Sequence, residues 1–177
     1  MSHPLTVGPY EIPEATTFEQ VALEDIENPA VRLGASYWQL LRGDRRHPAR
    51  GELRPRDMAG VLHNMMLVKV LDGGVDFEYR IVGNAQVQAY SAQFQGRRIS
   101  DIAKDWPVFC RTVTSVYTHV FQSDQPFAIR GRAGRDFPDA KFDRSEHVFL
   151  PLGDSDDTVD HLLIYSSFAM RPATEGA

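Results

Sequence analysis

Two apolar runs, SEHVFLPL (145–152) and TVDHLLIYSSF (158–168), constrain this chain more than any other feature. The turn formers GDSDD join them, so the pair reads as two adjacent antiparallel strands. Their Val, Phe and Leu residues need protein to pack against, which requires helices laid on the sheet. Upstream, MMLVKVLDGGVDFEYRIVG places two strand-like runs on either side of Asp72-Gly73-Gly74, a hairpin signal. In the second run Phe77, Tyr79 and Ile81 alternate with Asp76, Glu78 and Arg80, which predicts one buried and one wet face. Pro126 leads into a further strand, FAIRGR.

Helices fill the rest. Asn28-Pro29 reads as an N-cap followed by proline at the first helical position. Leu33, Tyr37, Leu40 and Leu41 then recur at helical spacing, Trp38 broadens that face, and Gly43 stops the helix. Pro55 opens a second short helix to about His63. Asn84 caps a third from Ala85 to about Ala92, Gly96 breaks it, and Ile99 to Lys104 forms another helical turn. The longest helix starts at Asp105-Trp106-Pro107 and ends near Ser123-Asp124, with Phe109, Val113, Val116, Tyr117 and Val120 on its core face. The first helix must also lie on protein, either the other face of the sheet or a partner chain. A Gly/Pro/Asp-rich loop, AGRDFPDAK, precedes the last two strands.

The expected fold is therefore α+β: a five-stranded antiparallel sheet with helices inserted between strands two and three, plus an N-terminal helical extension. The expected organisation is a flexible arm over 1–16, the helical extension over 17–63, a core over 64–170 and a flexible tail over 171–177. A chain of 177 residues suits one domain with a good core. A net charge of -5 argues against general nucleic-acid binding. No apolar run approaches the roughly 20 residues of a membrane span, and the first residues do not read as a signal peptide. The single Cys110 fits a reducing compartment, so a cytoplasmic location is expected.

Four pieces in order resemble a known family: Trp38-x-x-Leu41-Arg42-Gly43-x-Arg45 followed by Pro48; Phe77-x-Tyr79-Arg80-x-x-Gly83; Gly96-Arg97; and Leu150-Pro151-Leu152. Together with the element order they resemble a bacterial family of stand-alone PAS-domain proteins over residues 33 to 168. The resemblance implies a sensory or interaction module and names no ligand, because PAS domains bind haem, flavin, small acids or nothing.

A PAS flavin photosensor needs a reactive cysteine just after Gly-Arg, and GRRISDI has none. Cys110 reads as a small semi-buried side chain. Haem in PAS proteins often hangs from a histidine of the long helix, which makes His119 the one candidate; a boundary histidine is the plainer reading. The other histidines (His3, His47, His63, His147, His161) show no metal-ligand spacing, although His147 and His161 could face each other across a hairpin. No nucleophile or phosphate-loop motif appears, so the chain does not read as an enzyme. A small cone-shaped (NTF2-like) α+β fold doing acid/base work is the remaining enzymatic reading.

Six arginines crowd YWQLLRGDRRHPARGELRPR (37–56) against two acids. The cluster lacks interleaved aromatics and a recognition helix. Arg42 and Arg45 match the family pattern and read as a structural brace, with an acidic docking partner as the second reading. Arg46 and Arg50 have the spacing of a cyclic-dinucleotide clamp, but its companion at Asp143-Arg144-Ser145 lacks the required glycine. The function expected is a stand-alone module that senses a small molecule or docks a signalling protein, with no output domain of its own. It is expected as a homodimer built around Tyr37 and Trp38. A ligand pocket would be lined by Tyr79, Tyr117 and Phe121 with His119 near it; Trp38, Arg42, Arg45, Arg80, Gly83, Gly96 and Pro151 are expected to serve structure or docking. A scaffold without ligand would have that space filled by side chains.

Overall fold

The computed structural model describes residues 6–7, 10–11, 17–132 and 140–172, with side chains from residue 18 onward. The flexible arm and tail expected at the two ends therefore lie mostly outside the described residues, as does most of the loop over 133–141. In chain order the elements are β1 (Thr6–Val7), β2 (Tyr10–Glu11), β3 (Thr17–Val21), α1 (Pro29–Arg42), β4 (Met65–Leu71) and β5 (Asp76–Val82). Then follow α2 (Asn84–Tyr90), α3 (Ile99–Ile102), α4 (Pro107–Ser123), β6 (Phe127–Arg132), β7 (Phe142–Leu152) and β8 (His161–Met170). The strands β1 and β2 pair with each other and, among the described residues, with no other strand. The main sheet is antiparallel throughout, in the order β3-β6-β7-β8-β4-β5.

The sheet has six strands where five were expected, because β3 joins the edge beside β6. This strand is short and carries Glu19 and Gln20 between Phe18 and Val21, so it has no long apolar alternation to read. Short, charged edge strands are a common protection against unwanted pairing. The segment expected as a purely helical extension thus contributes backbone to the sheet itself.

Both faces of the sheet are covered. One side of each central strand (Met66, Val68, Phe149, Leu162, Ile164) packs under α3 and α4. The alternate residues (Met65, Leu67, Val148, Leu150, Leu163, Tyr165) pack under α1. Such two-sided burial gives strands that are nearly continuously apolar.

Helix α1 begins and ends as its sequence predicts, with the Asn28 side chain accepting from the Ala30 and Val31 amides and Gly43 closing the C-terminus. Its buried face differs from the expected one. Val31, Gly34, Ala35 and Trp38 are buried, whereas Leu33 is 56% and Leu40 80% exposed. The small residues win because they let the helix backbone approach the sheet. A Cβ on Gly34 would stand 2.3 Å from the Tyr165 ring. One turn on, the Trp38 indole N–H donates to the Pro151 carbonyl at 2.8 Å, deep in the core. Glu146, itself buried, accepts from the amides of Glu27 and Asn28 and so anchors the start of α1 to β7.

Two further local readings are corrected. The expected helix over Pro55 to His63 is a turn followed by a 3-10 segment, Ala59–Asn64, and Asn84 lies inside α2 without capping it. On β5, Phe77 and Tyr79 are buried as the alternation predicts, yet Ile81 is exposed and Val82 buried. The register explains this: Leu67 pairs with Ile81 and Val68 with Tyr79, so Arg80 is the extra residue of a β-bulge. One inserted residue flips every side chain beyond it to the other face.

The Gly34–Tyr165 contact sets one prediction. Gly34→Ala gains up to about 1 kcal/mol of helix propensity, but overpacking against a rigid buried ring costs about 1–3 kcal/mol. Urea denaturation should therefore show net destabilisation, and an unchanged or higher midpoint would refute the close-approach account.

Candidate functional site

The helices α2 and α4 do not fill the space they cover. A cavity of about 60 Å³ remains between them and the sheet. Most of its wall is aromatic: Phe18 from β3, Tyr79 from β5, Tyr90 from α2, Phe109 and Tyr117 from α4, and Phe149 from β7 contribute, with Phe94 from the following loop. Phe94 stacks on Tyr79 at 5.9 Å and on Phe109 at 5.4 Å between ring centroids. Rings in contact at these distances hold a shape that flexible aliphatic side chains would let collapse.

Few polar side chains reach this cavity. The Tyr79 and Tyr117 hydroxyls hydrogen-bond each other at 3.1 Å. Desolvation holds both phenols protonated, well above their ordinary range. The Thr112 hydroxyl donates to the Val108 carbonyl. His147 is engaged at both ring nitrogens, Nδ1 with the Ser166 hydroxyl at 2.7 Å and Nε2 with that of Ser145 at 2.8 Å. Burial pushes its pKa down to about 4, so the ring is neutral at physiological pH. Gln86 differs from all of these. It is 3% exposed and lines the cavity, and among the described residues neither its Oε1 nor its Nε2 has a hydrogen-bond partner.

The residues expected at a pocket separate into two groups. Tyr79 and Tyr117 line the cavity together. Phe121 and His119 do not. Phe121 packs against the β4–β5 turn, where a Cβ on Gly74 would come within 2.5 Å of its ring. His119 sits edge-on to Phe127 at 4.8 Å. A haem ligated by His119 would therefore lie outside the cavity. A space of this size, with no cation lining it among the described residues, also does not suit haem propionates or a flavin phosphate. The Cys110 thiol is buried in the core and pushed up to about 12 by desolvation, which leaves it inert as a nucleophile.

His147 stands opposite Ser166 in the sheet and His161 opposite Leu152, so the two histidines do not meet. Glu146 is a buried acid adjacent to His147 in sequence, but its carboxylate serves the start of α1 on the opposite face, also meeting Arg130. Among the described residues no carboxylate thus lines the cavity beside a histidine, the pairing that acid/base chemistry would use. Among the described residues, no group of three His, Cys, Asp or Glu side chains could hold a metal ion, and no helix is long and apolar enough to cross a membrane.

The arginine-rich connector works mainly on itself. The Arg42 guanidinium lies over the Trp38 ring at 5.1 Å from its centroid. Arg45 forms a two-pronged pair with Glu52 at 2.8 and 2.9 Å and donates to the Leu41 and Arg42 carbonyls. The hydrogen bond from Arg45 holds the Glu52 carboxyl below its usual range. Arg46 reaches Asp124 at 3.5 Å, while Arg50, Arg54 and Arg56 are exposed. Arg80 pairs with Glu78 on the surface. Gly83 is held where a Cβ would strike the His63 carbonyl at 2.5 Å, Gly96 takes a positive φ of 80°, and Pro151 supplies the carbonyl for Trp38.

Sequence reasoning missed Gln86, Tyr90, Phe94 and the cavity role of His147. The first three lie in a short helix and an irregular loop, where no periodicity marks an inward face. Gln86 is a polar residue whose burial could be seen only once the sheet was in place.

With this geometry in view, the comparisons place the chain. A family model described as PAS domain matches residues 26–164, more than half of the sequence, and the chain belongs to that family. It is accordingly a sensory or signalling module of the PAS type, with the α+β architecture expected of one. No curated protein matches it, and no solved structure does.

Two measurements test the site's energetics. Tyr79→Phe and Tyr117→Phe should each destabilise the fold by about 1–2 kcal/mol, since each strands a buried hydroxyl. The double variant should lose clearly less than the sum; additive losses in a denaturation cycle would dissolve the claimed pair. The histidine gives a pH effect. The unfolded chain binds a proton at His147 below about pH 6.5, whereas the folded chain resists until about pH 4. Stability should therefore fall as pH drops through this window, by up to about 1.4 kcal/mol per pH unit for one proton. Wild type should lose stability more steeply than His147→Gln between pH 6.5 and 4.5, and parallel curves would contradict a neutral buried ring.

Proposed function

We propose that this PAS domain is a sensor whose input is a small molecule held in the cavity between α4 and the sheet. The observation that carries the reading is the cavity with the Gln86 carboxamide inside it, both polar ends unmet. Close packing is the norm in protein interiors, and buried amides are normally satisfied. A space that departs from both norms at one point suits a ligand better than a scaffold core.

A second reading has its own support. Leu33, Tyr37 and Leu40 follow one another along the outer side of α1, and the two leucines are 56% and 80% exposed. This stripe could seat a second copy of the chain or a signalling protein. Trp38, completely buried and bonded to Pro151, is not available for such a contact. The exposed Arg50, Arg54 and Arg56 nearby in sequence would favour an acidic partner.

Native mass spectrometry of the purified protein, followed by thermal unfolding with small uncharged compounds, tests the first reading. A binder present at about 100 times its dissociation constant should stabilise the fold by about 2.7 kcal/mol. Val116→Phe, which fills the cavity from α4, should abolish that gain while leaving a folded protein. No retained mass and no stabilisation by any compound would move the weight to docking through α1, which light scattering of wild type and Leu40→Lys would then test.

A further inference from the structure

Resting on the reading of the cavity as a ligand site, we propose that its ligand is a small uncharged molecule carrying a hydrogen-bond donor and an acceptor side by side. A primary carboxamide or a lactam has this pattern, and Gln86 is the group that reads it.

Three observations converge. The first is the state of the polar lining. Tyr79 and Tyr117 bond each other, Thr112 bonds the Val108 carbonyl, and His147 and Ser166 bond one another. Among the described lining side chains, Gln86 alone holds both a donor and an acceptor without partners, at 3% exposure. A buried amide in that condition is costly, and a ligand that meets both ends removes the cost. An amide group presents its oxygen and its NH2 a fixed distance apart. Its natural complement is another amide, oxygen to NH2 and NH2 to oxygen, and this holds whichever way round the Gln86 amide sits.

The second observation is charge. Among the described residues no Asp, Glu, Lys or Arg lines the cavity, and His147 is held neutral by burial. An ionised ligand would surrender its hydration to a wall of Phe, Tyr and Val with no counter-charge, so ions are rejected. The third is size. One water needs roughly 10–15 Å³ of such space, so a cavity of about 60 Å³ holds several water-sized groups. That admits a ligand of a few heavy atoms without rearrangement, and the aromatic wall accepts its apolar part.

The probe that isolates this claim is acetamide, with acetate and guanidinium as charged counterparts of similar size and xenon as an apolar one. The full chain, labelled with 15N, is titrated with each at pH 7 and followed by NMR. Acetamide is expected to shift the Gln86 side-chain NH2 resonances saturably, while acetate and guanidinium leave them unmoved. Gln86→Leu should weaken acetamide binding by at least about tenfold and raise the melting temperature of the unliganded protein, because an unmet amide has been removed. Gln86→Met serves if the leucine variant folds poorly. If acetate or guanidinium binds in the cavity and acetamide does not, the assigned ligand class is overturned while the ligand site stands. If xenon alone enters, or ordered water stays in place against acetamide, the class is likewise overturned. If no probe enters, xenon included, the sensor reading fails together with it.

Discussion

The sheet is buried on both faces, and the close approach of α1 makes that possible. Gly34 brings the helix backbone onto the Tyr165 ring, and the Trp38 indole closes the next turn by donating to Pro151. Glu146 secures the start of the helix through two backbone amides. Together these contacts place α1 along β7 and β8, whose inner residues would otherwise face water. With that layer in place, the opposite residues of the same strands are committed to α3 and α4, and the cavity lies on that second side.

The two sides are packed differently. Beneath α1, small residues and one large indole fit closely against the strands. Beneath α2 and α4, large rings meet edge to face and in stacked pairs and enclose a gap. Aromatic side chains are stiff, and their preferred offset contacts tile poorly around a short helix. The result is a rigid wall with an unfilled centre, a good basis for recognising something small. Among the described residues its one unmet polar side chain is an uncharged amide, which keeps the site compatible with a low-dielectric interior.

Much of the architecture was legible in order along the chain. Asn28-Pro29 and Gly43 mark α1, Asp72-Gly73-Gly74 marks the β4–β5 hairpin, and the runs around Val148 and Ile164 mark the last two strands. These signals are local: caps, turns and alternation act within a few residues. What escaped the reading depended on approach in space. The Leu33–Tyr37–Leu40 stripe looked like the buried face of α1 because it is the more apolar one, yet a closer packing distance favoured Gly34 and Ala35. Ile81 looked buried because a bulge at Arg80 leaves no trace in the pattern of apolar residues. Of the candidate site, Tyr79 and Tyr117 were visible as aromatics on core faces, whereas His119 and Phe121 lie further along the same helix as Tyr117, against Phe127 and the β4–β5 turn, and miss the cavity.

By itself the sequence determined the type and order of most elements and the family resemblance, because each rests on spacing and backbone preference that neighbouring residues settle among themselves. Only the tertiary structure decided which face of α1 is buried, that Thr17–Val21 is a sixth strand, and that Gln86 ends unpartnered among aromatic rings. Those outcomes turn on packing between segments far apart in the chain, which no local pattern of residues records.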